Sequence, residues 1–155
     1  MHVRPLLEYC SSVWSPCTVT GVNKIESVQR QFTKKLPGLW DLSYDHRLSV
    51  LGLERLELRR LHFDLVWCFK IVKKNLVDIP FDSLFVYSDV KSTRGHQLKL
   101  TLPHSRLNAR SNQFAVRVVP HWNKLPDSIV SLNCLYKFKR AIKQTDFSDV
   151  LVGKS

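Results

Sequence analysis

The sequence predicts a mainly α-helical protein, in which an N-terminal helical bundle is followed by a basic segment with a short strand or hairpin and further helices. Apolar residues recur at spacings of three and four through most of the first 75 residues, a pattern typical of amphipathic helices. Short turns rich in Pro and Gly separate these stretches, as in a compact bundle. Strict alternation of polar and apolar residues, which favours a strand, occurs at residues 97–102.

These patterns divide the chain into three regions. We expect a helical bundle over residues 1–75, a basic segment packed on it over residues 76–143, and a frayed tail over residues 144–155. With 155 residues, of which 44% are hydrophobic, the chain is about one domain long and can form a core.

The first predicted helix runs from Pro5 to about Trp14. Proline is tolerated at a helix start because the N–H that it lacks would be unpaired there anyway. Pro16 ends the helix. Its apolar stripe consists of Leu6, Leu7, Cys10, Val13 and Trp14.

The second predicted helix covers about residues 19–35. Either Thr18 or Thr20 can cap it, and Pro37-Gly38 stops it. The apolar residues at helical spacing are Val22, Ile25, Val28, Phe32 and Leu36.

Two more helices complete the predicted bundle. Ser43 can cap a helix over residues 44–51, and Gly52 suits the left-handed position that ends it. A longer helix is expected over residues 54–74, with Asn75 as its terminator. Its predicted buried face is Leu58, Leu61, Leu65, Cys68 or Phe69, and Val72.

The second half of the chain is less regular. Residues 79–90 are expected to be irregular, with at most one short helical turn. The strand predicted at residues 97–102 ends at Pro103 and has two candidate partners, the region of Leu107 and residues 116–119.

Two helices are predicted near the C-terminus. Residues 116–119 suit a helix from Asn112 to Leu125 as well as a strand; the helix is preferred because the spacings of Phe114, Val118, His121 or Trp122, and Leu125 are three to four. Asn133 is expected to cap the last helix. That helix has Leu135, Phe138, Ala141 and Ile142 inward and Lys137, Lys139, Arg140 and Lys143 outward.

Positive charge is concentrated in the second half. The chain has 24 Lys and Arg against 13 Asp and Glu, a net charge of +11. The window from Lys91 to Lys143 holds eleven basic residues and one acidic residue, Asp127, so it carries +10. Such a field attracts polyanions, nucleic acid first and an anionic membrane face second.

Several classes of protein are disfavoured by what the sequence lacks. It has no apolar run of membrane-spanning length, no signal-peptide layout, no Cys-x-x-Cys pair and no glycine-rich phosphate loop. We therefore expect an intracellular protein, nuclear or cytoplasmic, without membrane, metal or cofactor. Two enzyme patterns are weak: a nuclease-like set of Pro80, Asp82, Asp89 and Lys91, and a thiol of Cys10 or Cys134 with His121.

Several blocks of the chain resemble a known family. Residues 3–16 and 26–35, the Leu-Gly-Leu at residues 51–53, residues 94–96, and residues 117–126 are together similar to the thumb and post-thumb region of a jockey-like non-LTR retrotransposon reverse transcriptase. The similarity covers the chain from Val3 to about Lys143. It implies a thumb-like bundle that grips template and primer beside a polymerase palm carried upstream, and hence that the chain is a fragment or remnant of a larger polyprotein.

The resemblance does not extend to the active site. A polymerase of this family holds two metal ions on a pair of adjacent aspartates, and no Asp-Asp pair occurs in this chain. We therefore expect no catalytic residues and no enzymatic activity. The predicted function is binding of RNA or DNA backbone without sequence preference and with strong salt dependence.

The predicted nucleic-acid site is the basic second half. Its residues are Arg94, Gly95, His96, Lys99, Arg106, Arg110, Arg117, Lys139, Arg140 and Lys143. Phe114 and Trp122 are candidate stacking platforms for bases, although aromatic residues at helical spacing also suit a core. Weaker phosphate contacts are expected from Lys34-Lys35 and Arg59-Arg60.

Two other functions stay open at this point. One is a small helical protein-interaction module whose basic half meets an acidic partner. The other is a transposon relic that folds and has no function. A basic last helix lying on an anionic membrane is a third, weaker possibility.

Overall fold

The computed structural model is mainly α-helical, which confirms the predicted fold class. It describes residues 3–73, 77–89, 95–103 and 112–152. The chain packs as two compact units, unit 1 (Met1–Arg60 with Phe147–Ser155) and unit 2 (Leu61–Asp146). These units differ from the three regions expected from the sequence, whose standing as domains stays a prediction.

The first predicted helix is interrupted. It forms as α1 (Val3–Glu8) and α2 (Ser11–Trp14), separated at Cys10, whose φ of 51° lies in the left-handed region. The indole N–H of Trp14 donates to the carbonyl of Tyr9 at 2.6 Å, which closes this turn. Much of the expected buried stripe is exposed, with Val13 82% accessible. A helix that buries so little gains little from packing, so a continuous helix is not favoured here.

The next two helices form as predicted. The second is α3 (Val19–Lys34), and the Thr18 hydroxyl accepts the N–H of Gly21 as its cap. The third is α4 (Tyr44–Leu51), where Ser43 accepts the N–H of His46 and Gly52 closes the helix at φ 60°.

The buried face of α3 is largely polar, which the apolar spacing did not predict. Its buried residues are Val22, Glu26, Gln29 and Thr33, whereas Val28 is 37% exposed. Buried polar groups cost free energy unless they are hydrogen-bonded. The contacts between α3 and its neighbours in unit 1 satisfy this requirement.

A hydrogen-bonded network joins these polar residues. The Tyr44 hydroxyl donates to Glu26 at 2.5 Å, and the Gln29 amide donates to the Tyr44 oxygen at 3.1 Å and to the Glu54 carbonyl at 3.0 Å. Arg47 donates to the Thr33 hydroxyl at 3.2 Å. Burial, strengthened by the bond to Glu26, raises the pKa of Tyr44 above its ordinary value. The tyrosine therefore stays protonated and acts as a donor.

The longest helix, α5 (Leu56–Val72), begins at this network. The Glu26 carboxylate accepts the backbone N–H of Leu56 at 3.0 Å, which places negative charge at the positive end of the helix. Leu65, Cys68 and Val72 are buried as predicted. Polar residues of α5 that the sequence did not mark as buried are also enclosed: Arg60, His62 and Asp64. Asn75, the predicted terminator, lies outside the described residues.

After α5 the chain is irregular with one short helical turn, as predicted. A 3₁₀ turn forms at Phe81–Ser83. Residue 100 of the predicted strand then makes an antiparallel bridge with Tyr87, supported by bonds from the Ser88 N–H to the Lys99 carbonyl and from the Thr101 N–H to the Val86 carbonyl.

The sequence left two possible partners for the predicted strand, and the structure describes only one of them. Leu107 lies outside the described residues. Residues 116–119 are helical, so the strand pairing considered for them is wrong and the preferred helix is confirmed as α6 (Phe114–Lys124). The strand predicted at residues 97–102 is reduced to the single bridge at Leu100, and no regular strand forms within the described residues. Local alternation cannot choose a strand's partner, because partner choice depends on contacts far apart in sequence.

Two helices follow in unit 2. A short helix, α7 (Asp127–Val130), was not predicted, and the last helix is α8 (Leu135–Gln144). The residue before α8 is Cys134 rather than the predicted cap Asn133, whose side chain instead accepts a hydrogen bond from Lys73 at 3.2 Å.

Two residues of the predicted tail contact the rest of unit 1, and its fraying stays a prediction. Phe147 is only 7% exposed, and the N–H of Val152 donates to the Glu57 carboxylate at 2.7 Å. None of the described helices is both long and apolar enough to cross a bilayer.

Candidate nucleic-acid interface

Helix α8 presents a basic face. Phe138 and Ile142 are buried, and the Phe138 ring stacks on Phe69 of α5 with centroids 4.1 Å apart. The side of α8 that faces away from these residues is exposed and carries Lys137, Lys139, Arg140 and Lys143, here called the α8 basic face. The inward and outward assignments made from the sequence are therefore confirmed for these six residues.

The cations of this face are not engaged by acidic side chains. Within the parts of the chain that the structure describes, none of the four pairs with a carboxylate. Helix spacing brings the side chains of residues three and four apart within about 5–6 Å of each other at Cβ, so Lys139, Arg140 and Lys143 form one continuous positive strip.

Arg117 is paired within unit 2, and the phosphate contact expected of it stays a prediction. Its guanidinium forms two bonds with Asp64, at 2.8 and 3.1 Å, and a third with the Asn112 carbonyl at 2.9 Å. The Asp64 side chain is only 7% exposed. A carboxylate in that position needs a fixed positive partner, and Arg117 supplies it within unit 2.

His96 is also part of the core. It is 3% exposed, its Nε2 lies 3.1 Å from the Trp122 carbonyl, and its ring meets the indole edge-on at 6.0 Å. Burial lowers the pKa of His96 below its ordinary value. The side chain is therefore neutral at pH 7 and is not a cation for a phosphate.

Gly95 and Lys99 lie next to each other. Gly95 is exposed with φ 114°, a conformation that favours glycine. A methyl group at Gly95 would come 3.3 Å from Cε of Lys99, so the lysine stem crosses this turn. The other three predicted contacts, Arg94, Arg106 and Arg110, lie outside the described residues.

The two predicted stacking residues belong to the interior. Trp122 is fully buried, and its indole N–H donates to the Leu98 carbonyl at 2.9 Å. Phe114 is half-buried and meets Phe85 edge-on, with ring centroids 6.1 Å apart. The alternative that the sequence left open, aromatic residues of the core, is the one that the structure supports.

An exposed aromatic residue lies instead on α8. Tyr136 is 74% exposed, and it precedes Lys139 and Arg140 by three and four residues, so it lies in the same strip of the helix surface. The sequence contained the signal for it, because Tyr136 lies three and four residues before the outward residues Lys139 and Arg140 and two residues from the inward Phe138. The two stacking residues predicted from the sequence, Phe114 and Trp122, both lie in α6, and Tyr136 was not predicted.

The four weaker candidates for phosphate contact also include both exposed residues and residues engaged in the fold. Lys34 and Lys35 are exposed. Arg59 forms an ion pair with Glu8, which raises the pKa of the guanidinium. Arg60 is 2% exposed. Of these four residues, only the two lysines are fully at the surface, since the Arg59 side chain is 24% exposed and paired.

The enzyme patterns receive no further support. Asp82 and Asp89 are exposed, and Lys91 lies outside the described residues. Among the described residues, no group of three or more His, Cys, Asp and Glu side chains is arranged to hold a metal ion. The Cys134 thiol is exposed, and the nearby backbone N–H groups of Lys137 and Tyr136 lower its pKa, as expected for a thiol at a helix start.

Comparison with other proteins gives no family assignment, since no protein-family model, no curated protein and no solved structure matches this chain.

Proposed function

We propose that this protein is a non-catalytic nucleic-acid-binding module, similar to the thumb and post-thumb end of a retrotransposon reverse transcriptase, that holds RNA or DNA backbone on the α8 basic face. The observation that carries the proposal is the exposure of four neighbouring cations without carboxylate partners within the described residues. Lysine and arginine bind nucleic acid by displacing the cations condensed on its phosphates.

The helix that carries the face is firmly held. Phe138 and Ile142 are each no more than 1% exposed, so α8 offers its cations from a fixed position. Binding through such a strip requires no base-specific hydrogen bond and therefore has no sequence preference. As the resemblance implies, a palm on the upstream part of a parent polyprotein would be the partner that acts on the bound strand.

The first prediction concerns three residues of the face. Replacing Lys139, Arg140 and Lys143 together by Gln is expected to weaken binding of a nucleic acid and to make its salt dependence shallower. Four phosphate contacts predict that log affinity falls with log salt at a slope of about −3 to −4, and loss of three contacts reduces that slope by about 2–3. Fluorescence anisotropy with a labelled oligonucleotide over a salt series measures both quantities.

The matched control removes the same charge elsewhere. Asn23, Lys24 and Gln31 are exposed residues of α3 in unit 1, and the triple variant Asn23→Asp, Lys24→Gln and Gln31→Glu lowers the net charge equally while leaving α8 and the candidate pair Lys34-Lys35 intact. Equal losses in the two triple variants would show that total charge matters and that the α8 basic face is not the site. No binding by the unaltered protein at low salt would overturn the proposal.

The test also covers an acidic protein partner, which would use the same cations. Polyglutamate is a polyanion without phosphates or bases. If it displaces the oligonucleotide as effectively, per charge, as unlabelled nucleic acid does, the face recognises an acidic polypeptide instead.

A further inference from the structure

We infer that the α8 basic face selects single-stranded nucleic acid, with Tyr136 as the surface on which an unpaired base stacks. The inference rests on the proposed function and adds to it the class of strand that this face takes. It depends on one juxtaposition, an exposed tyrosine ring among the cations of a single helix.

The position of Tyr136 determines what it can touch. On the helix surface it lies one turn before Lys139 and Arg140, and it is 74% exposed at the start of α8. A large aromatic ring on the solvent side of a helix buries little of its own apolar surface in the fold. Its apolar area is available to a ligand.

The neighbouring charges define the chemistry of that ligand. The cations on either side of the ring attract a polyanion, whereas a neutral apolar segment would gain nothing from them. A polyanion that also offers flat aromatic surfaces at intervals along its backbone is a nucleic acid, and its bases are accessible to an aromatic side chain when they are unpaired. In a duplex the base faces are covered by their neighbours in the stack, so the tyrosine ring gains no stacking contact there.

The decisive experiment compares strands with and without bases. Wild-type protein and Tyr136→Ala are titrated with a labelled single strand, with an abasic strand of equal length and charge, and with a blunt duplex. Stacking on an aromatic side chain contributes enough that removing the ring should weaken binding of the base-bearing strand about fivefold or more. Binding of the abasic strand and of the duplex should change by less than about twofold, since phosphate contacts are retained.

Two controls isolate the ring from the fold. Tyr136→Phe keeps the stacking surface and should bind the single strand nearly as well as the wild type. Tyr9→Ala removes a tyrosine of matching exposure, 76%, from unit 1 and should have no effect on any strand. Because both tyrosines are exposed, the melting temperature is expected to stay the same in every variant.

The possible outcomes separate this inference from the proposed function. If Tyr136→Ala binds the base-bearing strand as tightly as wild type while the triple variant of the basic face binds it weakly, the stacking inference is overturned and backbone binding stands. Equal losses on base-bearing and abasic strands would also overturn it. If wild-type protein binds none of the three ligands, both proposals fall together.

Discussion

Glu26 shows how a single buried carboxylate organises unit 1. It accepts the N–H of Leu56 at the start of α5 and the hydroxyl of Tyr44 at the start of α4. Two helix starts are therefore tied to the middle of α3 by one side chain that is 3% exposed. Hydrogen bonds to a charged group are stronger than those between neutral groups, so this contact holds α3, the start of α4 and the first turn of α5 together within unit 1.

The pKa of Tyr44 leads to a prediction at the residue scale. The folded protein holds the Tyr44 proton more tightly than the unfolded chain, because burial and the bond to Glu26 raise its pKa above the ordinary 10.0. The unfolded chain therefore loses this proton first as pH rises. Stability from this group is complete below about pH 10 and is lost as pH climbs toward the folded-state pKa. Urea unfolding of the wild type should show a midpoint that falls above about pH 10.

Tyr44→Phe tests the source of that fall. The variant loses a hydrogen bond and should be less stable than the wild type at neutral pH by about 1–2 kcal/mol. Above about pH 10 its midpoint should fall less steeply, because the titrating group is gone. Parallel pH profiles for the two proteins would show that Tyr44 is not the group responsible.

In unit 2, the nearly buried carboxylate is Asp64, and its partner is Arg117. Their two hydrogen bonds pair a nearly buried carboxylate with an arginine that the sequence assigned to phosphate binding. Removing one partner of such a pair leaves an uncompensated charge and is strongly destabilising. A basic residue in a basic segment is therefore not automatically a ligand-binding residue.

At the scale of elements, α1 and α8 show when apolar residues at helical spacing are sufficient to predict a continuous helix. Both have apolar residues at helical intervals, yet α8 buries Phe138 and Ile142 whereas the first helix breaks at Cys10. Short helices depend on the tertiary packing of one face. The spacing indicates which face is apolar, but the presence of a surface to receive it decides whether the helix is continuous.

The end of α4 gives a prediction at this scale. Gly52 lies at φ 60°, and a methyl group there would meet no atom within 4 Å. Gly52→Ala therefore adds only the cost of a left-handed conformation, so it should lower the free energy of unfolding by about 1 kcal/mol. Chemical denaturation followed by circular dichroism measures the change.

The control for this variant is Gly52→Asn. Asparagine tolerates the left-handed region better than alanine does, so its cost should be smaller. An Asn variant less stable than the Ala variant would contradict the assignment of the cost to backbone conformation.

At the scale of the molecule, charge is distributed unevenly. Unit 2 has 14 basic and 6 acidic residues, a net charge of +8, whereas unit 1 has 10 basic and 7 acidic residues, a net charge of +3. Positive potential therefore centres on the unit that contains α8. Part of this charge is neutralised within the fold, as at Arg117. The exposed cations of α8 therefore supply a larger share of the positive charge at the surface than of the basic residues in the unit.

The core of unit 2 links stability to the proposed function. Phe138 is fully buried, stacks on Phe69 and approaches Trp122 with ring centroids 6.1 Å apart. Phe138→Ala should lower the free energy of unfolding by about 3–5 kcal/mol because it leaves a cavity under α8. Urea denaturation gives the change in stability, and anisotropy titration should show weaker binding of a single strand.

Phe138→Leu serves as its control. Leucine refills most of the volume, so its cost should be well below that of alanine and binding should be close to the wild type. If Phe138→Ala unfolds more readily yet binds as the wild type does at a temperature where it is folded, the fixed position of α8 is not needed for binding.

Much of the architecture could be predicted because it depends on local chemistry. Thr18, Ser43 and Gly52 perform the capping roles expected of them, since a cap involves residues only three or four apart. The outward lysines of α8 followed from helical spacing for the same reason. The bridge between Tyr87 and Leu100 did not, because its partners lie far apart in the chain.

The candidate site was only partly predictable. The basic last helix was predicted from the sequence. Phosphate contacts were also predicted for His96, which is buried, and for Arg117, which is paired with Asp64. A stacking role was also predicted for Trp122, which is buried, whereas the exposed aromatic residue of α8 is Tyr136. Burial is a property of the assembled unit, so charge and aromaticity alone cannot separate a core residue from a surface one.

The sequence by itself determined the helical class, most helix ends and the basic character of the second half, because these follow from residue type and short-range spacing. Only the tertiary structure decided which cations are exposed and which are paired, since that depends on carboxylates such as Asp64 brought close from another helix. The pairing of charges in space, which cannot be counted from the chain alone, leaves the four cations of the α8 basic face exposed and without carboxylate partners among the described residues.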